Sequence, residues 1–498
     1  MKELSRTIGS NYFWYAFLLL TVFVYFFGLS IPLLGPDEPR YAQVAREMFT
    51  RGDLVTPTLG GYNWFEKPAL LYWLEITAFS MFGVSEFAAR AGSAVFGLGT
   101  IASMWLLGRE YEKGAFARLM AMAVATSIGI IVFSRGASFD IILTFPMTAA
   151  LVCFYFFDSR SRHASEDATK RRDLIVPLAG LYFFIGVSLL AKGLVGVVFP
   201  AAIVAFYYLL SRRLPSKQFI VSIFWGTVLS AAVAATWYLP MYLRHGWSFV
   251  DEFFIQHHFQ RFTSNKYQHP QPFHFFFWVL PLMTIPWLPF LAASGVTGIK
   301  KILNRGGSSQ FSPLVPFAFA WMTVPLVFFS FSGSKLPGYI LPSVPPAIVL
   351  AVFSLRRFAS RGPSYNVTVW ALGLATYLVI IGVIIFALPG FAENDSVKSL
   401  IAAADGQGYS RSRVLGLHTV SHNAEFYASG RLVRDVGGRQ RNFASADEIR
   451  AQIEAAGGDP VLVLVPPKFA TELSANASLK ALPISENGEL RIIAVSLK

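Results

Sequence analysis

A polytopic α-helical membrane protein with a small C-terminal α/β domain is the fold class this sequence predicts, and three observations predict it. Of 498 residues, 54% are hydrophobic and only 14% are charged, against roughly 25% charged in an ordinary soluble protein. Apolar runs of about 20 residues, the length a helix needs to cross the hydrocarbon core, recur up to about residue 389. Beyond about residue 390 the pattern gives way to short strand-like stretches and one helical stretch.

The apolar segments fall near 12–34, 88–107, 115–134, 139–157, 174–191, 193–210, 219–240, 273–294, 312–331, 338–355 and 367–389. Proline-broken stretches can hide further spans, so about 11 to 13 transmembrane helices are expected. Lys2 and Arg6 precede the first run, which is longer than the core of a cleaved signal and lacks a small-residue cleavage site; an uncleaved first span is expected.

With the N-terminus cytoplasmic, the loops at 108–118, 158–173, 211–217, 300–305 and 356–361 face the cytoplasm, and each is rich in Lys and Arg. The net charge of +13 is then explained by loop topology and not by nucleic-acid binding. The opposite loops, 35–87, 134–140, 191–193, 242–273 and 332–339, hold the Asp, Glu, His and aromatic clusters. Every chemically suggestive group therefore falls on one outer side, a pattern that was not used to count the spans. Cys153 is the single cysteine, which excludes an intramolecular disulfide and a cysteine metal cluster.

Residues 1–389 are expected to form the membrane domain, with a long first outer loop at 35–87, and residues 390–498 a soluble domain on the outer side. In the latter, "SRVLGLHT", "PVLVLVPP" and "ELRIIAVSL" read as strands. "SADEIRAQIEAAGG" reads as a helix capped by Ser445 and stopped by Gly457.

The first outer loop begins "GPDEPRY". Pro39 suits a first helical turn, and "PRYAQVAREMF" places Tyr41, Val44, Ala45 and Met48 on one face, as in an amphipathic interfacial helix. A second helix is expected after Lys67-Pro68, with Trp64, Phe65, Tyr72 and Trp73 at headgroup level. Asp37 has two readings, a helix N-cap or a general base facing an acceptor. Asp140 opens a span at the outer boundary and Lys192 interrupts an apolar run; charges so near hydrocarbon are costly unless paired or lining a cavity. Glu66 with His257 or His258 could bind a divalent metal, or these could be polar loop residues. Lys67, Lys192, Arg261 and Lys335 could clamp a phosphate, although Arg261 and Lys335 also suit interfacial anchoring.

"PDEPRYAQVAREMFTRGDLVTPTLGGYNWFEKPALLYWL", a later "FD", "AKGLVGVVFP", "HHFQRF" and "SGSKLPGYILPSVPP" together resemble the bacterial lipid A 4-amino-4-deoxy-L-arabinose transferases. More broadly they resemble the protein mannosyltransferase-like glycosyltransferases of the GT-C fold. The resemblance covers about residues 10–355. It implies a GT-C-like membrane enzyme of the bacterial inner membrane, using a sugar linked to a polyprenyl (undecaprenyl) phosphate on the periplasmic side. The acceptor would be lipid A, a glycan or a protein.

By motif, the resemblance makes Asp37 and Asp140 the catalytic acids; Arg40 and Tyr41 follow the first as in the family and are expected at the donor phosphate and the substrate respectively. Lys67, Lys192 and Arg261 match positions expected at the donor phosphate, and Lys335 opens the motif whose Tyr339 is expected at the substrate. Glu66 and His258 match an expected metal pair, with zinc the implied ion and His257 a weaker match. Gly338 replaces the family's usual residue before Tyr339, an exchange expected to matter little.

The expected chemistry is inverting glycosyl transfer: Asp37 orients or deprotonates the acceptor while basic side chains stabilise the departing phosphate. The rival within the class is transfer to protein Ser/Thr. The rival outside it is a transporter or flippase for a lipid-linked sugar; transporters carry coupling charges at the midplane between repeated halves, and this sequence has neither feature. A non-catalytic scaffold would leave the clustered acids unexplained.

Overall fold

The computed structural model describes residues 2–162, 173–260, 271–303 and 311–498, without the side chains of 2, 5, 257–260, 302 and 303. The membrane-embedded helices are α1 (Asn11–Phe26), α4 (Glu86–Tyr111), α5 (Ala115–Ala125), α6 (Ile128–Ser134), α7 (Phe139–Ser161), α8 (Ile175–Lys192), α9 (Val195–Leu210) and α10 (Lys217–Val250). They continue as α11 (Phe275–Met283), α12 (Leu288–Leu303), α13 (Leu314–Ser330), α14 (Val344–Ala359) and α15 (Pro363–Gly382). Between α1 and α4 lie α2 (Asp37–Arg51), the hairpin β1 (Thr58–Leu59) and β2 (Tyr62–Asn63), and α3 (Leu70–Phe82).

Among the described residues six helices are long and apolar enough to span a membrane, or up to eight if each bent pair counts as one span. Each of the eleven expected segments coincides with an apolar helix or bent pair; the shorter helices α1, α9 and α13 account for the lower count by length. The protein is a multi-pass helical membrane protein.

The chain divides into two compact units: Met1–Phe27, Phe65–Leu71 and Arg90–Ile381, and then Gly28–Trp64, Tyr72–Ala89 and Gly382–Lys498. In the first unit, α7 runs through the interior; Ile141, Ile142, Leu143, Met147 and Phe154 are all buried. Two bent pairs, α5–α6 at 58° and α11–α12 at 118°, meet at their breaks. There Ile128 N donates to Ile285 O at 3.0 Å and Trp287 Nε1 to Thr126 Oγ1 at 3.1 Å. Interrupted helices within hydrocarbon need such replacement partners.

In the second unit, a five-stranded sheet has the order β4-β3-β5-β7-β6, from β3 (Val414–Leu417), β4 (Asn442–Phe443), β5 (Val461–Val465), β6 (Leu479–Glu486) and β7 (Arg491–Leu497). β3 pairs in parallel with β4 and β5, while β7 pairs antiparallel with β5 and β6. Both faces are covered, which is why "VLVLV" is apolar without alternation. Val463 and Ile493 pack with Ile449 and Ile453 of α17 (Ala446–Ala455). Leu462 and Ile492 pack with Leu400 and Ile401 of α16 (Lys398–Ala404) on the other face. Ser445 caps α17, accepting from Glu448 N at 3.3 Å. β6 escapes a sequence reading because Pro483 sits in it, at a register shift on the sheet edge where proline is tolerated.

Candidate active site

Four segments far apart in sequence meet in the first unit. Ser138 caps α7, its hydroxyl accepting from Asp140 N at 3.2 Å, so Asp140 lies in the first turn, where the helix dipole favours a carboxylate. α8 ends at Lys192 because Gly193 follows with φ 68°, and a last-turn lysine is favoured by the opposite end of that dipole. Lys192 Nζ donates to Asp140 Oδ1; the two side chains are 15% and 17% exposed. The same ammonium stands 4.9 Å from the centroid of the Tyr339 ring, and Tyr339 packs on Phe329.

Tyr339 belongs to a short 3-10 helix, Pro337–Ser343. Gly338 before it lies so close to α7 that an added Cβ would fall 1.8 Å from Asp140 Oδ2. The carboxylate occupies the space that a side chain at 338 would fill, so a larger residue there would require it to shift. Lys335, at the entry to this turn, is buried. It donates to Gln271 O at 2.9 Å and Ser332 O at 2.7 Å, leaving one of its three N–H donors for a ligand. Burial holds its pKa below the usual lysine value.

Lys67 reaches the same end of α7, with Nζ 5.9 Å from the centroid of the Phe139 ring. Phe65 is buried against His245 and Phe249 and Tyr72 is also buried, so both pack within the protein. Glu66, between Phe65 and Lys67, is half-buried. The side chains of His257 and His258, and the whole of Arg261, lie outside the described residues. Among the described residues no group of three or more His, Cys, Asp or Glu could hold a metal ion.

In the second unit, Asp37 opens α2 rather than capping it; Pro36 holds the cap position and makes no side-chain cap bond. Arg40 Nη2 donates to Asp37 Oδ1 at 2.5 Å, and its Nε donates to Pro36 O at 2.8 Å. The Asp37 side chain is 47% exposed, so it is open to an incoming group. Tyr41, Val44, Ala45 and Met48 form the buried face of α2, as their spacing predicts. The other side carries Glu47, whose carboxylate accepts from Gly60 N, Gly61 N and Thr58 Oγ1 at 2.6, 3.1 and 2.7 Å. It thereby clamps the β1–β2 turn.

Two groups in this unit escaped the sequence reading. His422 has its pKa lowered by burial and then by Arg40, against an upward pull from Asp37, so it lies within electrostatic reach of that pair. Glu75 of α3 is completely buried, and neither carboxyl oxygen has a hydrogen-bond partner among the described residues. Burial, and then Glu38, push its pKa well above the carboxylate range. Its signal was present: one acid inside "ALLYWLEITAF". His422 had none, because its neighbours lie nearly four hundred residues away in the sequence.

Among solved structures, the chain is similar to ArnT from Cupriavidus metallidurans. The TM-score is 0.77 for the apo state, at 21% identity and 98% coverage of both chains. It is 0.75 for the undecaprenyl phosphate-bound state, at 20% identity, covering 97% of this chain and 98% of that one. These likenesses show the fold. The profile of the dolichyl-phosphate-mannose-protein mannosyltransferases matches residues 15–252. The undecaprenyl phosphate-alpha-4-amino-4-deoxy-L-arabinose arabinosyl transferase of Aeromonas salmonicida is 29% identical over 417 residues, 82% of this chain and 72% of the relative. Its namesake in Shewanella sediminis is 31% identical over 356 residues, 70% and 61%.

The chain is a membrane glycosyltransferase, similar in sequence to the mannosyltransferases and arabinosyl transferases and in fold to ArnT. A GT-C glycosyltransferase of this kind takes its sugar from a lipid-linked donor. Such a donor presents a phosphate at the membrane face. In this chain Lys67 and Lys192 lie at one end of α7, and Lys335 stands two residues before the turn that carries Tyr339; an ammonium is a point charge suited to such an anion.

Proposed function

We propose that the chain transfers 4-amino-4-deoxy-L-arabinose from undecaprenyl phosphate to lipid A, at the periplasmic face of the bacterial inner membrane. The observation that carries this reading is the joining of Asp140, Lys192 and Tyr339 at one end of α7, on a chain related to arabinosyl transferases named for that donor. The basic loops at 108–118, 211–217 and 356–361 support a cytoplasmic N-terminus. The α7 cluster and the C-terminal domain are then periplasmic.

In the proposed reaction an acceptor oxygen attacks the anomeric carbon and the bond from that carbon to the phosphate oxygen breaks. The electron pair leaves with undecaprenyl phosphate. Lys192, Lys67, Arg261 and Lys335 stabilise the growing phosphate charge, with Arg40 a further candidate contact. Asp140 orients Lys192, and Tyr339 flanks the ammonium. Asp37 takes the proton of a hydroxyl acceptor, or orients a phosphate acceptor that has none to lose; Tyr41 supports the helix turn that presents it. No covalent enzyme intermediate is required.

Glu66 supplies one carboxylate and His258 would supply an imidazole for a divalent ion such as zinc, which when bound would neutralise phosphate charge. Metal analysis of the purified chain tests this. Stoichiometric zinc lost in both Glu66→Gln and His258→Ala supports the pair, and wild-type metal content in both removes it.

The decisive assay follows labelled sugar from the lipid donor into lipid, protein and glycan fractions, with wild type and Asp37→Asn. Label entering lipid A with wild type alone supports the proposal. The match to the mannosyltransferase profile favours, as second reading, a Ser or Thr hydroxyl acceptor; label in protein would select it. Equal transfer by Asp37→Asn would sink the role given to Asp37.

A further inference from the structure

At the other end of α7 the first unit holds a cleft of 990 Å³ with two chemically distinct parts. Its long wall is apolar and follows α13 from Pro313 to Leu326, about 20 Å at the ~1.5 Å rise of a helix. Phe319 on this wall, Phe277 of α11 and Ile299 of α12 are exposed, as lipid-facing side chains are. Opposite, α12 contributes Ser294, Gly295 and Gly298. A Cβ added at either glycine would meet nothing within 4 Å, so this stripe leaves open room.

One end of the cleft is basic. Arg162, Arg212 and Arg213 line it. Arg162 and Arg213 each lie 3.3 Å from Asp158 Oδ2, which also accepts from Tyr207 Oη at 2.6 Å. Arg212 has no carboxylate partner among the described residues. Among the described residues, three guanidiniums against one carboxylate leave this end net positive. Arg212 also has φ 49°, in the left-handed region beyond the end of α9 where glycine is the usual occupant. A strained arginine held there is a pointer to function.

The basic end cannot serve the Asp140 cluster. Arg162 follows the last residue of α7 and Asp140 is its second, so about 33 Å of helix separates them, the thickness of the ~30 Å hydrocarbon core. We propose that this cleft is a lipid-binding site on the opposite membrane face, taking one acyl chain of an anionic glycerophospholipid whose phosphate meets Arg212. The length selects the occupant: about 20 Å holds one acyl chain of a ~15 Å leaflet with its glycerol, whereas an undecaprenyl chain is far longer.

The test uses the full chain purified in mild detergent. A phosphatidylglycerol with a photoreactive group at the end of one acyl chain is cross-linked and the labelled peptides are mapped. Labelling of α12 and α13 is expected in wild type. A drop of about tenfold is expected in Gly295→Leu/Gly298→Leu, which fills the cleft without meeting protein. Arg212→Gln should lower labelling severalfold and abolish the preference over phosphatidylcholine. The wild-type map and lipid preference do not depend on whether a variant folds. Equal wild-type labelling by phosphatidylcholine, displacement by inorganic phosphate alone, or native mass spectra showing undecaprenyl phosphate in place of the glycerophospholipid would each overturn the proposal.

Discussion

The Asp140 carboxylate fills the space above Gly338, where an added Cβ would lie 1.8 Å from Oδ2. The turn carrying Tyr339 and the helix carrying Asp140 are thus in contact through the absence of a side chain. Gly338→Ala should push the carboxylate away from Lys192 and lower the transfer rate by about tenfold or more, ~1.4 kcal/mol of barrier. Rates equal to wild type in a well-folded Gly338→Ala would show that the carboxylate can move without consequence.

Asp140 and Lys192 are both mostly buried, and removing one partner strands the other's charge. Lys192→Met should cost about 3 kcal/mol of stability, the lower end of the range for a broken buried pair. Adding Asp140→Asn should recover much of it, because no charge is then stranded, yet transfer should stay lost. Thermal unfolding and the label assay separate the two effects. Recovery of activity in the double variant would reduce the pair to a structural role.

Asp37 is different. Its pair with Arg40 is half exposed, and such pairs contribute about 0–1 kcal/mol. Asp37→Asn should therefore unfold within a few degrees of wild type while transfer falls by orders of magnitude. A large loss of thermal stability would relocate its role to folding.

Burial raises the folded pKa of Glu75 above its unfolded value, ~4.3. The folded state then binds more protons than the unfolded one, and stability falls as pH rises past the unfolded pKa, by up to ~1.4 kcal/mol per unit. Glu75→Gln should be at least as stable as wild type at neutral pH and should flatten this slope from about pH 5 to 7. Parallel unfolding profiles for the two proteins would mean the acid ionises freely.

His422 has the opposite sign. Its folded pKa lies below the unfolded ~6.5, so the unfolded state binds more protons on acidification. Stability should decline as pH falls below about 6.5, and His422→Gln should lessen the decline. An unchanged profile would place the imidazole in free solvent.

Much of this was legible before any coordinates. Helix positions followed from apolar length, the buried face of α2 from the spacing of Tyr41, Val44, Ala45 and Met48, and β5 from an unbroken apolar run. Asp140 and Lys192 stood out because charge beside hydrocarbon demands a partner, and each proved to be the other's. What stayed hidden depends on distance in three dimensions. No local pattern says that residue 338 touches residue 140, that His422 lies near Arg40, or that small residues on α12 face α13 across a cleft. β6 stayed hidden because a proline in a strand is readable only once its edge position is known.

The clamp on the first loop has a consequence for biosynthesis. Gly35 N donates to Asp395 Oδ2 at 2.8 Å, Leu33 N to Tyr427 Oη at 2.8 Å, and Arg46 to Phe426 O at 2.5 Å. The first of these contacts joins residues 360 apart in sequence. At roughly 5 to 20 residues per second of translation, the loop waits about 20 to 70 s for its partner to be made. A ribosome-bound nascent chain can thus have all its spans in the bilayer while Asp37 is still unanchored. The segment that carries Asp37 is fixed in place only when the last hundred or so residues have been synthesised and folded.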